Sequence, residues 1–203
     1  IPSRLVGSEM CIRDSCEPEA ISLHPSGMAA LHRALELVCD ADPTRPVLQI
    51  GFPYVDVLKL PQMVFAGAEL LLDDRAASVQ SALDSLRPAA VVVEVPSNPL
   101  LRCIDLAVIA KLAHQRNIPV IADDTIGSGL NVDALPHVDL VFSSLTKSFA
   151  GRGDVLAGSL VLSPHSRWHA QLIDAARQRP PLAPLADGDA TVLEQGSRDV
   201  ADR

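Results

Sequence analysis

The chain is predicted to fold as an α/β layered domain around one mostly parallel sheet. Three observations carry that expectation. Short apolar runs alternate with segments of helical period from residue 27 onward, which is the pattern of strands crossing over through helices. Runs such as Val-Val-Val-Glu-Val at 91–95 are apolar on successive positions, as strands covered on both faces must be. The chain has 203 residues, 48% of them hydrophobic, enough to bury one sizeable core.

The elements follow in order. Helical period predicts a helix over 27–39, opened by the small turn Ser26-Gly27, and Val-Leu-Gln-Ile at 47–50 reads as a strand. A second helix spans 54–64, with an interruption expected at Pro61, because proline lacks the N–H that the turn before it needs. Strands are expected at 68–72, 90–95, 119–123, 139–144 and 158–162, and helices at 79–86, 105–116 and 167–179. The proline-rich stretch 179–184 ends the last of these helices. Residues 189–203 look like a helix cut off in mid-phrase.

Residues 1–15 have no amphipathic period and resemble translated adapter sequence, so they are expected to be a non-native or disordered extension and are set aside. Residues 16–185 are expected to form the main domain, and 186–203 the start of a connection to a further, missing domain.

Composition excludes several function classes. A net charge of -8 without clustered Lys and Arg does not suit a nucleic-acid surface. No apolar run is long enough to span a bilayer, and no signal peptide is recognisable. Cys11, Cys16, Cys39 and Cys103 lack the paired spacing of a zinc site and read as reduced thiols, which suits the cytoplasm. His165 and His169 stand four apart but have no evident third ligand, so no metal site is expected. The Arg-Gly-Asp at 152–154 reads as loop, and no GxGxxG follows the first strand to support a dinucleotide-binding domain.

The chemistry-bearing residues collect just after the strands, where open α/β sheets bind ligands. Asn98 follows one strand, Asp123 ends the next, and Ser144, Thr146 and Lys147 follow a third. The Ser26-Gly27-Met28 turn opens the first helix, and a helix start offers free N–H groups and a positive dipole end to a phosphate. A lysine beside strand-end hydroxyls can condense with an aldehyde where partial desolvation lowers its pKa. An aspartate at a neighbouring strand end can keep a pyridine nitrogen protonated, and an aromatic ring can stack on the cofactor. Tyr54 is the only tyrosine.

The segments SGMAAL, EVPSNPL, IADDTI, SSLTKSFAG and GDVLAGSLVL, in this order, resemble the cystathionine γ-synthase family of pyridoxal-phosphate-dependent Cys/Met metabolism enzymes. The DDT, SLTK and LEQGSRD segments are similar to its fungal-type members. The resemblance implies a fold-type-I large domain, three-layer α/β/α, truncated at both ends, with pyridoxal 5'-phosphate as cofactor. It implies that Lys147 holds the cofactor covalently and moves protons, that Asp123 and not Asp124 pairs with the ring nitrogen, and that Tyr54 stacks on the ring. Gly27, Met28, Ser144 and Thr146 correspond to phosphate ligands. Asn98 matches the asparagine near the cofactor's phenolic oxygen, and Thr125 belongs to the cofactor site. The segment FPYVDVLK departs from the family's usual YGGT after the tyrosine, which leaves the shape of that loop open.

The activity implied is γ-replacement on an O-acylated homoserine with cysteine, with a γ-lyase, an O-acylhomoserine sulfhydrylase or a non-catalytic cofactor-holding fragment as alternatives. Small-molecule amino acids are the implied substrates, with neither nucleic acid nor membrane as partner. The resemblance implies that the full-length protein is a homodimer or homotetramer. The family's N-terminal arm and the C-terminal arginine for the substrate carboxylate are not in this chain, so the chain alone is expected to show little turnover.

Overall fold

The computed structural model describes residues 16–39, 42–181 and 183–202. The proposed extension at 1–15 lies outside them. Seven strands form one sheet: β1 (Ile21–His24), β2 (Val47–Ile50), β3 (Ala68–Leu71), β4 (Ala90–Glu94), β5 (Val120–Asp123), β6 (Leu140–Ser144) and β7 (Gly158–Leu162). Their order is β1-β7-β6-β5-β4-β2-β3. The pairings from β3 through β6 are parallel, whereas β7 runs antiparallel to both β6 and β1.

Among the described residues four α-helices join the strands, α1 (Gly27–Cys39), α2 (Val55–Val64), α3 (Ala76–Leu86) and α4 (Leu106–His114), and two follow β7, α5 (His169–Gln178) and α6 (Asp187–Gly196), before a 3-10 turn at Ser197–Asp202. The expected three layers are present. In β4, Val91 and Val93 join the cluster that receives Val79 and Leu83 of α3 and Ile109 and Ala113 of α4. Ala90 and Val92 face the other way, into the cluster with Leu31 and Leu35 of α1, Val57 of α2 and Leu172 of α5. Both faces of the strand are thus dry, and each wholly buried valine contributes roughly 1.5–3 kcal/mol.

Two expectations differ from what is observed. The edge strand β1 has no counterpart among the expected strands. Only Ile21 and Leu23 of its four residues are apolar, which gives no apolar run, and it is defined by antiparallel pairing to β7. The interruption expected at Pro61 does not occur, because α2 runs through it. Proline at 61 withholds the N–H that the Val57 carbonyl would accept. Instead, Gln49 on β2 donates its Nε2–H to that carbonyl at 2.7 Å. A tertiary hydrogen bond thereby replaces the missing helical one.

The connection leaving β2 for β3 goes to one side, whereas β4, β5 and β6 advance to the other. This switch point opens a crevice at the carboxyl ends of the parallel strands. The antiparallel β7 begins at the same end, and β1 finishes there before α1 starts.

The Gln49–Val57 bond can be tested by a double-mutant cycle. Gln49→Ala should lower stability by about 1–3 kcal/mol, the cost of orphaning a buried carbonyl. In a Pro61→Ala background, where the substituted residue supplies a helical N–H, the same change should cost markedly less in urea unfolding.

Candidate functional site

A cavity of about 390 Å³ opens at the carboxyl ends of the strands. All nine sequence-predicted residues line it: Gly27, Met28, Tyr54, Asn98, Asp123, Thr125, Ser144, Thr146 and Lys147. A second cavity, of about 330 Å³, is lined by Ala89 and Pro119 before β4 and β5, at the other end of the sheet.

The anion-binding corner is built by a cap and two close contacts. Ser26 Oγ accepts the N–H of Ala29 at 3.1 Å. Capping therefore engages the third helical N–H, and those of Gly27 and Met28 belong to the first turn, where no helical acceptor exists. A Cβ on Gly27 would stand 2.9 Å from Ser144 Cβ. One on Gly158 would stand 2.3 Å from the Ser26 carbonyl oxygen. Only glycine lets the turn approach the end of β6 and the start of β7 this closely. Free N–H groups at a positive helix end, beside the Ser144 side chain, form a cradle that suits a phosphate.

Asp123 ends β5 and is buried, 4% exposed. Its Oδ1 accepts both the N–H of Thr125 at 3.0 Å and the Thr125 hydroxyl at 2.6 Å. That hydroxyl oxygen in turn accepts the Ser144 N–H at 2.9 Å. Thr125 therefore ties the acid of β5 to the end of β6. Burial pushes the Asp123 carboxyl up to about 7 against the pull of the Thr125 bonds, and the neighbouring Glu94 and Asp124 carboxyls push the same way. Asp124, the residue after β5, is buried and accepts from the Ser143 hydroxyl. Of the two aspartates, Asp123 lines the cavity.

The remaining residues come from loops. Lys147 N donates to the Ser144 carbonyl at 3.2 Å, and its own carbonyl accepts the Gly151 N–H at 2.9 Å. The side chain is exposed, not partly desolvated as the sequence suggested. The loop after β6 turns back on itself, and the lysine lines the cavity while remaining exposed. Thr146 Oγ1 accepts the Ala157 N–H at 3.1 Å, so its hydroxyl braces the loop before β7 as well as lining the cavity. Tyr54 sits at the N-cap of α2 and is half exposed. Asp56, two residues on, pushes its phenol up by charge and hydrogen bonding.

Sequence reasoning missed Glu94 and Asp56, which also line the cavity. Glu94 had a signal, since it is the only polar residue in the run 90–95.

The family model for Cys/Met metabolism PLP-dependent enzymes matches residues 17–181. The chain belongs to this family. Its cofactor is pyridoxal phosphate, and the cavity's residues fit such a group: a cradle of helix N–H groups and hydroxyls, a buried carboxyl, and a lysine. The chain is 35% identical over 202 residues to cystathionine gamma-synthase of Neurospora crassa, covering 91% of this chain and 31% of that protein. It is also 35% identical over 198 residues to alanine racemase ungC of Aspergillus violaceofuscus, covering 90% and 33%. The solved structure of cystathionine gamma synthase from Xanthomonas oryzae pv. oryzae, in complex with aminoacrylate and cysteine, shares the fold with a TM-score of 0.82 at 24% identity, covering all of this chain and 52% of that one. The chain spans about a third of the length of the curated relatives it matches.

The raised Asp123 carboxyl gives a pH prediction for the cofactor-free protein. Below about 4 the group is protonated in both folded and unfolded states. As pH rises from there to about 7, the unfolded chain releases the proton and the folded chain keeps it, so stability is lost. His24, pushed down to about 4 by burial and by Arg33, acts with the opposite sign and loses stability as pH falls from 6.5. The wild-type-minus-Asp123→Asn difference removes the His24 contribution. In urea unfolding that difference should shift against the wild type by an amount on the order of a few kcal/mol between pH 4 and 7.

Proposed function

We propose that this chain carries the cofactor-holding core of an enzyme of sulfur amino-acid metabolism that performs γ-replacement on an O-acylated homoserine with cysteine. The observation that carries the reading is the convergence of Lys147, Asp123, Ser144 and the Gly27-Met28 turn on one cavity. Likeness to the Neurospora crassa cystathionine gamma-synthase supports the choice of reaction.

In this reading residues 16–185 form part of the large domain, and 186–203 lead towards a further one. The N–H groups of Gly27 and Met28, with the hydroxyls of Ser144 and Thr146, hold the phosphate. Tyr54 would stack on the ring and Asn98 would serve its phenolic oxygen, both residues lining the cavity. Asp123, fixed by Thr125, would pair with the ring nitrogen and would be ionised beside that cation, because the opposite charge offsets the cost of burial. Lys147 would hold the resting cofactor through Nζ and, only when that amine is free again, would accept and return the substrate's proton. When bound, the cofactor supplies an electron sink for bonds at the substrate's α- and β-carbons.

Among the described residues lining the cavity there is no arginine to hold a substrate carboxylate. Tyr54 and Leu156 line the cavity while remaining 47% and 66% exposed, which supports a homo-oligomer whose partner subunit covers them. The isolated chain is accordingly proposed to turn over little. A second reading, amino-acid racemisation, is favoured by the equal identity to alanine racemase ungC.

Mixed with pyridoxal phosphate, the chain should develop a visible absorption band that Lys147→Ala lacks. A band unchanged in the variant would contradict the assignment. Incubated with an O-acylhomoserine and cysteine, the loaded chain should release only trace cystathionine by mass spectrometry. Rapid turnover would overturn the need for a further arginine and a partner subunit, and loss of optical purity from L-alanine would favour the second reading.

A further inference from the structure

Glu94 closes β4 and is 5% exposed, an acid at the end of an otherwise apolar strand. It stands in register with Asp123 on β5 and lines the same cavity. Its two carboxylate oxygens are divided between two loops. Oε2 accepts the N–H of Tyr54 at 2.7 Å, and Oε1 accepts the N–H of Asn98 at 3.2 Å. Tyr54 leads into α2 from the loop after β2, while Asn98 belongs to the loop after β4. One side chain therefore fastens the backbones of the two loops that flank the switch point.

Burying a carboxyl is costly unless its oxygens are satisfied. Burial pushes the Glu94 carboxyl up, and the bonds from Tyr54 and Asn98 pull it down. An apolar residue would end β4 without that cost, but it would leave both loop amides without this acceptor. Tyr54 makes no side-chain cap to α2 and is half exposed, and Asn98 is exposed. Neither side chain is held by burial, and the backbone bonds to Glu94 tie the N–H group of each residue to the end of β4.

We propose that Glu94 is a positioning residue: its carboxylate clamps Tyr54 and Asn98 to the end of β4 and so sets the two loops that enclose the cofactor. The clamp stands on geometry alone, whereas its consequence for the cofactor rests on the function proposed above. Glu94 acts through its two partners and takes no proton from substrate.

The test has two arms. In the cofactor-free protein, amide exchange at Tyr54 and Asn98 is followed by NMR in wild type, Glu94→Gln and Glu94→Ala. Loss of a charge-assisted bond should speed exchange about ten-fold or more. Glu94→Ala should release both amides. Glu94→Gln, which keeps one acceptor oxygen, should release one only, and this variant suffices if the alanine form does not fold. In the second arm, pyridoxal phosphate is added and the visible circular dichroism per bound cofactor is compared with that of Val93→Ala, a core truncation in the same strand. Val93→Ala should lower the melting temperature and leave the dichroism unchanged, while Glu94→Gln should reduce it. Unchanged exchange at both amides in both Glu94 variants would overturn the clamp. Released amides with unaltered dichroism would overturn the positioning role. A wild-type protein that binds no cofactor would strike the proposed function, and the exchange arm would still decide the clamp.

Discussion

The site depends on how closely the turn before α1 approaches the ends of β6 and β7. Gly27 lies against Ser144, and Gly158 against the Ser26 carbonyl, with no room for a Cβ at either position. This contact brings the first N–H groups of α1 beside the hydroxyl-bearing end of β6, from which the loop carrying Lys147 departs. If the helix moved outward by one methyl group, its free N–H groups and Ser144 would no longer share a corner. The two glycines are therefore as much a part of the site as the residues that carry charge.

The electrostatics follow from the same construction. The chain is acidic overall, and Asp56, Glu94 and Asp123 line the cavity beside a single lysine. An anion finds its complement there in helix N–H groups and a dipole, which act locally and do not require net positive charge. The buried acids have a different use. Asp123 is held by Thr125 and raised by burial, so the cavity favours a cation next to it. Glu94, in register with it, is satisfied by two backbone amides and fastens the loops on either side. In the function proposed above, a phosphate-bearing aromatic base would use this division, its anionic end held by the helix and its basic nitrogen paired with the acid.

Much of this was legible in the sequence because parallel strands buried on both faces must be apolar throughout, so polar residues at their carboxyl ends stand out. Asp123, Ser144 and Lys147 were visible for that reason. The edge strand β1 is not, since only Ile21 and Leu23 of its four residues are apolar and its pairing is non-local. Pro61 misled because its remedy, Gln49, lies on another element. Glu94 carries the same signal, a lone acid in an apolar run, but it lies within the strand and so reads as strand and not as a site residue. The exposure of Lys147 was also out of reach, because it depends on how the loop after β6 closes on itself.

The central claim is that one lysine of three meets the cofactor. Lys59 lies on α2 and Lys111 on α4, and Lys147 alone lines the cavity. Borohydride reduction of the chain mixed with pyridoxal phosphate, followed by peptide mapping, distinguishes them directly. The account predicts the added mass on the peptide containing Lys147 and on neither of the others. Equal labelling of all three, or preferential labelling of Lys59 or Lys111, would contradict it.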